Sequence, residues 1–390
     1  MDLKKIQEAV LSHTRYIKDI SVVMHDGYPF AIVYPDFDAL KEAKIINIKE
    51  EIRWYAIELY NMKAPQPKKI KGFKIITDKL AKCASNELHE PDDEVYRVLK
   101  SYIESLTKKR VSLSCHLELD LELDSLNYVE LFVFIEESFG VKMDEALFSG
   151  MMIFESLYIY VKEHCLYVKP VMPDWEELLR EEIDEKLIYS PLIMSLYKSI
   201  LNPLFRLYFR LEIRGVENLV SSPCIIAPSH QSMLDGFLIE SALPYKILKK
   251  TFFLAYKQVF GTKLLEPISK HGQTILIDAN ENLKETMIYC ALPIKSKNNL
   301  VIFPEGARTR DRKLLEFRPY FAMLSKTFSV PIIPVVIDGS YEALGAGMLF
   351  PRPRKIKVTF LKPIEPRSMD YSEIIIKVRE AIRSELETST

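Results

Sequence analysis

Two polar strings, Ser229-His230-Gln231-Ser232-Met233-Leu234-Asp235 and Phe303-Pro304-Glu305-Gly306-Ala307-Arg308-Thr309-Arg310, each follow a short apolar run. The runs, residues 223–229 and 299–304, have the composition of buried strands. A polar string at the carboxyl end of a buried strand is placed where α/β folds usually hold their chemistry. The two strings therefore predict an α/β domain with a functional site at one edge of its sheet.

The residue types in these strings fit acid–base chemistry and anion binding. His230 can act as a base, and Asp235 can orient its ring if the chain bends before a helix that we expect to start near Ser232. Arginines such as Arg308 pair bidentately with phosphate oxygens, and Glu305 can hold an arginine or a ligand hydroxyl. Each string alone also fits an ordinary charged turn. The occurrence of both strings in this order, about seventy residues apart, favours acyl transfer.

Residues 210–365 are similar to the lysophospholipid and glycerolipid acyltransferase family, whose two motifs occur in this order. The resemblance implies that His230 is the general base and Asp235 its orienting partner, and that no metal takes part. Ala279 stands where family members that act on glycerol phosphates commonly have arginine, so the identity of the acceptor stays open. The residues that the resemblance assigns to substrate binding are Glu305, Gly306, Arg308, Arg310 and Arg318.

Composition excludes several classes of protein. The 390-residue chain is 48% hydrophobic with a net charge of −1, which is typical of a folded globular protein. Its five cysteines stand singly, without the spacing of a zinc site or a disulfide framework, so we expect a reducing, cytoplasmic setting. No run reaches roughly 18 uncharged apolar residues, and the first residues lack the apolar core of a signal peptide. We therefore expect no membrane-spanning helix. We also expect no nucleic acid as partner.

Charge is unevenly distributed along the chain. Residues 91–165 carry seven basic and fifteen acidic side chains, whereas residues 188–390 carry 28 basic and 19 acidic ones. The positive balance of the second segment favours anionic lipid headgroups or phosphate as partners. It is equally compatible with solvated charged faces.

Residues 1–90 are predicted to form a small α+β module. The helices and strands expected from periodicity are Lys5–Ser12, Ile20–Met24, Phe30–Tyr34, Ile48–Tyr60 and Gly72–Ile76. The module resembles the small C-terminal subdomain of AMP-forming acyl ligases, in which a lysine-bearing string follows. Glu87 takes the place of that lysine within residues 80–88. This predicts a non-catalytic remnant or docking module, with a separate ATP-binding acyl ligase domain as a candidate partner.

Residues 91–168 are predicted to form a four-helix bundle. The string Leu119–Leu126 resembles the attachment signature of acyl carrier proteins. The resemblance implies that Ser125 carries a 4′-phosphopantetheine arm, attached by a phosphopantetheinyl transferase. The alternative is a helical bundle in which Ser125 only caps a helix. The helices expected from apolar spacing are Val95–Thr107, Leu126–Phe139 and Phe154–His164.

Residues 169–186 are acidic and contain prolines, which predicts a linker. Residues 187–210 are apolar and aromatic, and we expect Pro191 and Pro203 to divide them into two short helices. Such a hairpin with basic ends suits a membrane surface, whereas the alternative is a buried hairpin that covers the domain. The predicted lipid contacts are Leu201, Leu204 and Phe205.

The sequence thus predicts a multidomain protein with a small α+β N-terminal module, an acyl-carrier bundle, and an α/β glycerolipid-acyltransferase-like domain at residues 187–390. We expect it to transfer a fatty acyl group from an acyl carrier thioester or acyl-CoA to a hydroxyl of a lysophospholipid or related lipid. It would act as a peripheral protein on the inner face of the membrane. The rival hypothesis is a non-catalytic acyl-carrier and docking subunit for a separate acyl ligase.

Overall fold

The computed structural model describes residues 3–25, 28–77, 90–143, 145–220, 223–257, 269, 271–277, 283–309, 312–345, 348 and 350–389. Three sequence predictions fall outside these residues: the string at 80–88, Ala279 and Arg310. The chain divides into two compact units, with the boundary between Asp174 and Trp175.

The first unit begins with a three-stranded sheet flanked by helices. The strands are β1 (Ile17–His25), β2 (Tyr28–Pro35) and β3 (Gly72–Ile75), with β2 antiparallel to β1 and parallel to β3. The helices are α1 (Leu3–Leu11), α2 (Phe37–Glu42), α3 (Ile48–Ile52), a π-helical stretch (Arg53–Glu58) and α4 (Leu59–Lys63). Alternate residues of β2 are buried, because successive side chains of a strand point to opposite faces. These elements coincide with the predicted helices and hairpin, and α2 is additional.

The rest of the first unit is helical. Its helices are α5 (Glu94–Thr107), α6 (Ser125–Phe139), α7 (Glu145–Phe148) and α8 (Phe154–His164). The stacked rings of Tyr102 and Phe134, with centroids 3.6 Å apart, join α5 to α6. The edge-on rings of Tyr96 and Tyr158, 5.3 Å apart, join α5 to α8. Such aromatic pairs supply much of the buried area in a bundle of this size.

A buried carboxylate links the two parts of the first unit. Glu118, between α5 and α6, accepts hydrogen bonds from the backbone N–H groups of Ile48 and Lys49, at 2.8 and 2.7 Å. These groups begin α3 and have no partner within that helix. Burial outweighs the two bonds and raises the pKa of Glu118 to about 8. Glu118 therefore holds the sheet-containing part to the segment that leads into α6.

Replacing Glu118 by alanine should lower the free energy of unfolding of the first unit by about 1–3 kcal/mol, because two N–H groups lose their partner. Hydrogen exchange across α3 and urea titration would measure the loss. Glu122→Ala is the matched control, since Glu122 is exposed and its surface ion pair with Lys109 contributes about 0–1 kcal/mol. Equal effects of the two substitutions would contradict the role assigned to Glu118.

The second unit contains a mostly parallel sheet. Its strands are β4 (Glu212–Arg214), β5 (Ile225–Pro228), β6 (Thr251–Tyr256), β7 (Thr274–Ile277), β8 (Asn299–Val301), β9 (Ile332–Asp338) and β10 (Lys357–Phe360). Within the described ranges the order is β4-β10-β9-β5-β8-β6-β7, and only β9 and β10 pair antiparallel. β5 and β8 are buried along their whole length, as expected for central strands covered on both faces.

Helices cover this sheet. They are α9 (Trp175–Arg180), α10 (Pro191–Tyr208), α11 (Asp235–Ala242), α12 (Tyr245–Leu248), α13 (Leu283–Lys295), α14 (Tyr320–Phe328), α15 (Ser340–Leu344) and α16 (Tyr371–Ser389). One core cluster joins α10 and α11 to alternate residues of β9, which are Ile333, Val335 and Ile337. α9 packs against α14, and Arg180 donates to the backbone oxygen of Thr327 at 2.8 Å. This part of the predicted linker therefore belongs to the second unit.

The predicted helical hairpin is wrong, because α10 is one continuous helix of 18 residues. Pro191 lies in its first turn, where the missing N–H has no helical partner to lose. Pro203 lies inside the helix, between polar contacts with α11 on its N-terminal side and the buried ring of Phe205 on its C-terminal side. The side chains of Lys198 and Asn202 both donate to the backbone oxygen of Ser241, at 2.5 and 2.9 Å. Tertiary contacts thus hold the helix together across a proline that would otherwise weaken it.

One face of α10 carries large exposed apolar side chains. Among the predicted lipid contacts, Leu204 lies on this face, whereas Phe205 is buried and Leu201 packs against the core cluster. In the part of the chain that the structure describes, no helix is both long and apolar enough to cross a bilayer. The exposed row is Leu192, Leu196, Ile200, Leu204 and Leu207.

Candidate active site

Both polar strings lie at the same edge of the sheet. β5 pairs in parallel with both β8 and β9, so the carboxyl ends of the three strands meet there. The loop with His230 follows β5, and the segment Phe303–Arg308 follows β8. The backbone N–H of Thr309 donates to the backbone oxygen of His230, at 2.9 Å, and joins the two loops. This is the edge at which open α/β sheets bind ligands.

Asp235 gathers the His230 loop around one carboxylate oxygen. Its Oδ2 atom accepts from the backbone N–H of Gln231 at 2.6 Å and of Ser232 at 2.8 Å, and it lies 3.0 Å from Nδ1 of His230. Asp235 also begins α11, where a negative charge is favoured. A carboxylate only accepts, so Nδ1 carries the proton and Nε2 keeps its lone pair. The structure thus brings the two predicted residues together in the orientation that a general base requires.

The imidazole of His230 is partly covered and uncharged. Its ring stacks on Phe303 with centroids 4.1 Å apart, and the side chain is 21% exposed. Burial lowers the pKa of His230 below its ordinary value of 6.5, the charge of Arg308 lowers it further, and Asp235 opposes both. At neutral pH the ring is therefore ready to accept a proton.

Glu305 connects the second string to the first. Its Oε1 accepts from the backbone N–H of His230 and its Oε2 from the backbone N–H of Leu315, both at 2.8 Å. The residue is 4% exposed, and burial raises its pKa to about 7 despite the two bonds. In the described structure Glu305 positions the His230 loop. Its contact with an acceptor stays a prediction.

The other predicted substrate-binding residues flank these loops. Gly306 has a φ of 63°, in the left-handed region that favours glycine, and forms the turn directly after Glu305. Arg308 acts on His230 through its charge. The backbone N–H of Arg318 donates to the backbone oxygen of Pro304, at 2.7 Å, which anchors this residue beside the string.

Sequence reasoning missed several features of the site. It did not predict the stacking of Phe303 or the backbone N–H groups that Asp235 collects. It also placed the helix start at Ser232, whereas α11 begins at Asp235. The Oγ of Ser232 instead donates to the backbone oxygen of Leu344 at 2.7 Å and ties the loop to the end of α15. The position of Phe303 at the end of a strand could have indicated that its ring lies near the site. That position does not indicate that the ring stacks on His230.

The predicted attachment residue Ser125 lies in the first unit, as the first residue of α6. Asp124 is the N-cap residue, and its Oδ1 accepts from the backbone N–H of Leu126 at 3.0 Å and of Asn127 at 3.2 Å. In turn, the side-chain Oδ1 of Asn127 accepts from the backbone N–H of Asp124, at 3.0 Å. The cap is therefore complete without Ser125, whose side chain lies outside the described part of the structure.

The neighbouring charges predict a pH signature. A neutral His230 is needed for base catalysis, so kcat/KM should rise with pH through the pKa of this ring, with a midpoint below 6.5. Arg308→Gln removes a charge that lowers this pKa, so the acidic limb should move to higher pH. Arg308→Lys keeps the charge and should leave the limb in place. An unshifted limb in Arg308→Gln would contradict this electrostatic coupling.

Comparison with known proteins identifies the segment that carries these loops. Residues 210–338 match the family described as Acyltransferase. A 1-acyl-sn-glycerol-3-phosphate acyltransferase from Limnanthes douglasii is 31% identical over 157 residues, which are 40% of this chain and 54% of the relative. One from Saccharomyces cerevisiae is 31% identical over 176 residues, 42% of this chain and 54% of the relative.

A solved structure gives a further comparison. The 1-acyl-sn-glycerophosphate acyltransferase from Thermotoga maritima aligns with a TM-score of 0.44 and 21% identity, over 50% of this chain and 79% of that chain. The chain spans about half the length of the two curated relatives described above. The C-terminal part of the chain, at residues 210–338, therefore contains a domain of the acyltransferase family.

Proposed function

We propose that the protein is an O-acyltransferase that moves a fatty acyl group from a thioester to a hydroxyl of a lysophospholipid. The observation that carries the proposal is the orientation of His230 by the buried carboxylate of Asp235, at the sheet edge of an acyltransferase-family domain. The relatives from Limnanthes douglasii and Saccharomyces cerevisiae are 1-acyl-sn-glycerol-3-phosphate acyltransferases, and this acceptor supplies the class proposed here. An oriented base of this kind favours an enzyme over a non-catalytic docking subunit.

In this reaction His230 removes one proton from the acceptor hydroxyl and later gives it to the leaving thiol. An acceptor hydroxyl is too weakly acidic to attack a thioester unaided, so Nε2 of His230 removes its proton as the new C–O bond forms. Asp235 holds the tautomer and stabilises the imidazolium. The C–S bond then breaks, the thiol leaves with the proton that His230 returns, and the neutral imidazole is restored. This direct transfer needs no covalent intermediate on the enzyme.

A panel of acceptors tests this function. The full-length protein would be incubated with acyl-CoA and one acceptor at a time. The acceptors are lysophosphatidate or lysophosphatidylcholine in vesicles and glycerol 3-phosphate in solution, and acylated products would be followed by mass spectrometry. We expect lysophosphatidate to be converted. Conversion of lysophosphatidate or glycerol 3-phosphate would mean that another basic side chain replaces the arginine that is missing at Ala279, because both acceptors carry the glycerol phosphate group. Failure with every lipid acceptor would overturn the proposal.

The first unit is proposed to be the acyl donor. The sequence around Ser125 and the complete Asp124 cap support an attachment point at the start of α6. A 4′-phosphopantetheine arm on Ser125 would supply a thiol that carries the acyl chain as a thioester. Tethering would raise the local donor concentration to roughly millimolar, whereas free acyl-CoA is the alternative donor. A separate acyl ligase that loads this arm is the proposed partner of residues 1–90.

Ser125→Ala should abolish phosphopantetheine attachment, because the hydroxyl is the only group on this residue that can form the phosphodiester bond. Co-expression with a phosphopantetheinyl transferase of broad specificity, followed by intact-mass measurement, checks this. The variant should still use acyl-CoA, since it keeps the second unit unchanged. A mass shift in the variant, or none in the wild type, would count against the carrier role.

Membrane attachment is proposed to occur through α10, on the inner face of the membrane. The support is the row of exposed leucines and isoleucine on this helix, in which Leu192 is 82% and Leu207 is 84% exposed. The opposite face packs into the core through Met194 and Phe205. A helix with one apolar exposed face suits the plane of a bilayer surface better than bulk water.

A further inference from the structure

A second exposed apolar side chain lies beyond the helix surface. Phe350 is 80% exposed and begins the segment Phe350-Pro351-Arg352-Pro353-Arg354, every residue of which is exposed. Burial of a phenylalanine ring is favourable, and an exposed ring that neighbours further exposed apolar side chains marks a candidate interaction surface. Two prolines restrict the backbone, which lowers the entropy lost when the segment binds.

This segment, residues 350–354, is fixed beside the exposed face of α10. The hydroxyl of Tyr208 donates to the backbone oxygen of Pro351, at 2.9 Å. Tyr208 ends α10 and directly follows Leu207, the most exposed leucine of the row. The segment that begins with Phe350 therefore contacts the C-terminal end of the helix that carries the exposed row.

The charge at this junction is positive. Arg206 and Arg210 at the end of α10 are exposed, as are Arg352 and Arg354. The acid at this place, Glu212, is already paired with Arg214 and with Lys355 at 2.8 Å. Within the described ranges neither Arg352 nor Arg354 forms an ion pair with an acidic side chain. Unpaired arginines around an exposed aromatic ring match the phosphate layer above the acyl chains of an anionic bilayer.

The segment is also tied to the catalytic loop. The backbone N–H of Arg352 donates to the backbone oxygen of Ala343, at 2.8 Å, and the next carbonyl, of Leu344, accepts from Oγ of Ser232. Ser232 lies between His230 and Asp235. One short helix, α15, thus connects the segment to the loop that holds the base.

We propose that Phe350, Arg352 and Arg354 form a second lipid-binding element, which with the exposed face of α10 seats the catalytic loop on an anionic lipid surface. This rests on the proposed function, since it assigns the lipid class and the element that meets it. The arginines contact headgroup phosphates, and Phe350 enters the acyl boundary. A lysolipid would then reach His230 from the side on which the protein is bound.

Vesicle flotation of the full-length protein tests the proposal. Vesicles of phosphatidylcholine alone are compared with vesicles that also contain phosphatidylglycerol. The wild type should prefer the anionic vesicles, and Arg352→Gln with Arg354→Gln should lower that binding by roughly 10- to 30-fold while sparing the weaker binding to neutral vesicles. Raised salt should remove the same preference. The matched control is Lys377→Gln with Arg383→Gln on α16, which packs on β9 outside the α10 cluster.

A second variant distinguishes a loss of lipid binding from a loss of folding. Phe350→Ser should lower binding to both vesicle types by roughly tenfold and slow acylation of vesicle-bound lysophosphatidate. Turnover of a short-chain acceptor in free solution should be unchanged, because Phe350 takes no part in the chemistry.

The outcomes distinguish this proposal from the one on which it rests. Equal anionic preference in the wild type and in the double arginine variant would overturn the role of residues 350–354 and leave α10 as the membrane contact. An equal loss in the α16 control would assign the effect to net charge and would also overturn it. No binding of the wild type to any vesicle would instead overturn membrane attachment itself.

Discussion

Replacing His230 by alanine should lower the rate of acyl transfer by about 100- to 10,000-fold, equivalent to roughly 3–5 kcal/mol of barrier. The substitution removes the imidazole that Asp235 orients and leaves the acceptor hydroxyl without a base. The fold should survive, because Asp235 keeps the backbone N–H groups of Gln231 and Ser232 as partners. Transfer would be measured as acylated lysophosphatidate, with acyl-CoA as donor.

His164→Ala is the matched control for this result. His164 is exposed at the end of α8 in the first unit, so its loss should leave transfer from acyl-CoA unchanged. Circular dichroism and thermal unfolding would establish that His230→Ala is folded. Full activity in folded His230→Ala would exclude this residue as the base.

Asp235→Asn should also lower transfer by about 100- to 10,000-fold, through a different mechanism. The Oδ2 position accepts from two backbone N–H groups as well as from Nδ1, so the amide oxygen takes that place and the NH2 group is left at the buried Oδ1 position. The neutral amide no longer stabilises the imidazolium that forms when His230 removes the proton. The carboxylate charge that raises the pKa of His230 is lost as well. Any residual activity should therefore show an acidic limb at lower pH than the wild type.

The pH profile makes the Asp235 prediction specific. A general loss of stability would lower the rate at every pH without moving the limb, so a shifted limb identifies an electrostatic role of the Asp235 carboxylate at the imidazole. In the described structure Oδ1 of Asp235 is buried without a hydrogen-bond partner, so the substitution also leaves an unsatisfied NH2 group in the core. Unchanged kcat/KM in Asp235→Asn would contradict the stabilisation of the imidazolium by Asp235.

Periodicity was sufficient to predict most elements of the fold. The hairpin of β1 and β2 and the helices α5, α6 and α8 lie at the predicted positions, because their apolar residues alternate or recur at helical spacing. It failed where tertiary contacts override local rules. Pro203 does not break α10, because contacts with Ser241 anchor the helix before the proline and the buried ring of Phe205 anchors it after the proline. Trp175 starts a packed helix in a segment whose charge resembled a linker.

The site was predictable as a set of residues but not as a geometry. Strings after two buried strands indicated that His230, Asp235 and Glu305 would lie at one sheet edge, because parallel neighbours end together. No local sequence pattern indicates that both carboxylate oxygens of Glu305 accept from backbone N–H groups. That arrangement depends on how the segment up to Leu315 folds back. The same residue types can bind a substrate or position a neighbouring loop, so only the three-dimensional structure distinguishes the two roles.

The measurement that tests the central claim most directly is the stoichiometry of thiol release and lipid acylation by the wild-type protein. Acyl-CoA is supplied with and without lysophosphatidate in vesicles, and free thiol and acylated lipid are followed in the same samples. The proposed mechanism predicts equal amounts of the two products, and little thiol when the acceptor is omitted. Thiol release that is as fast without acceptor, or release with no acylated lipid, would contradict acyl transfer to a lipid hydroxyl.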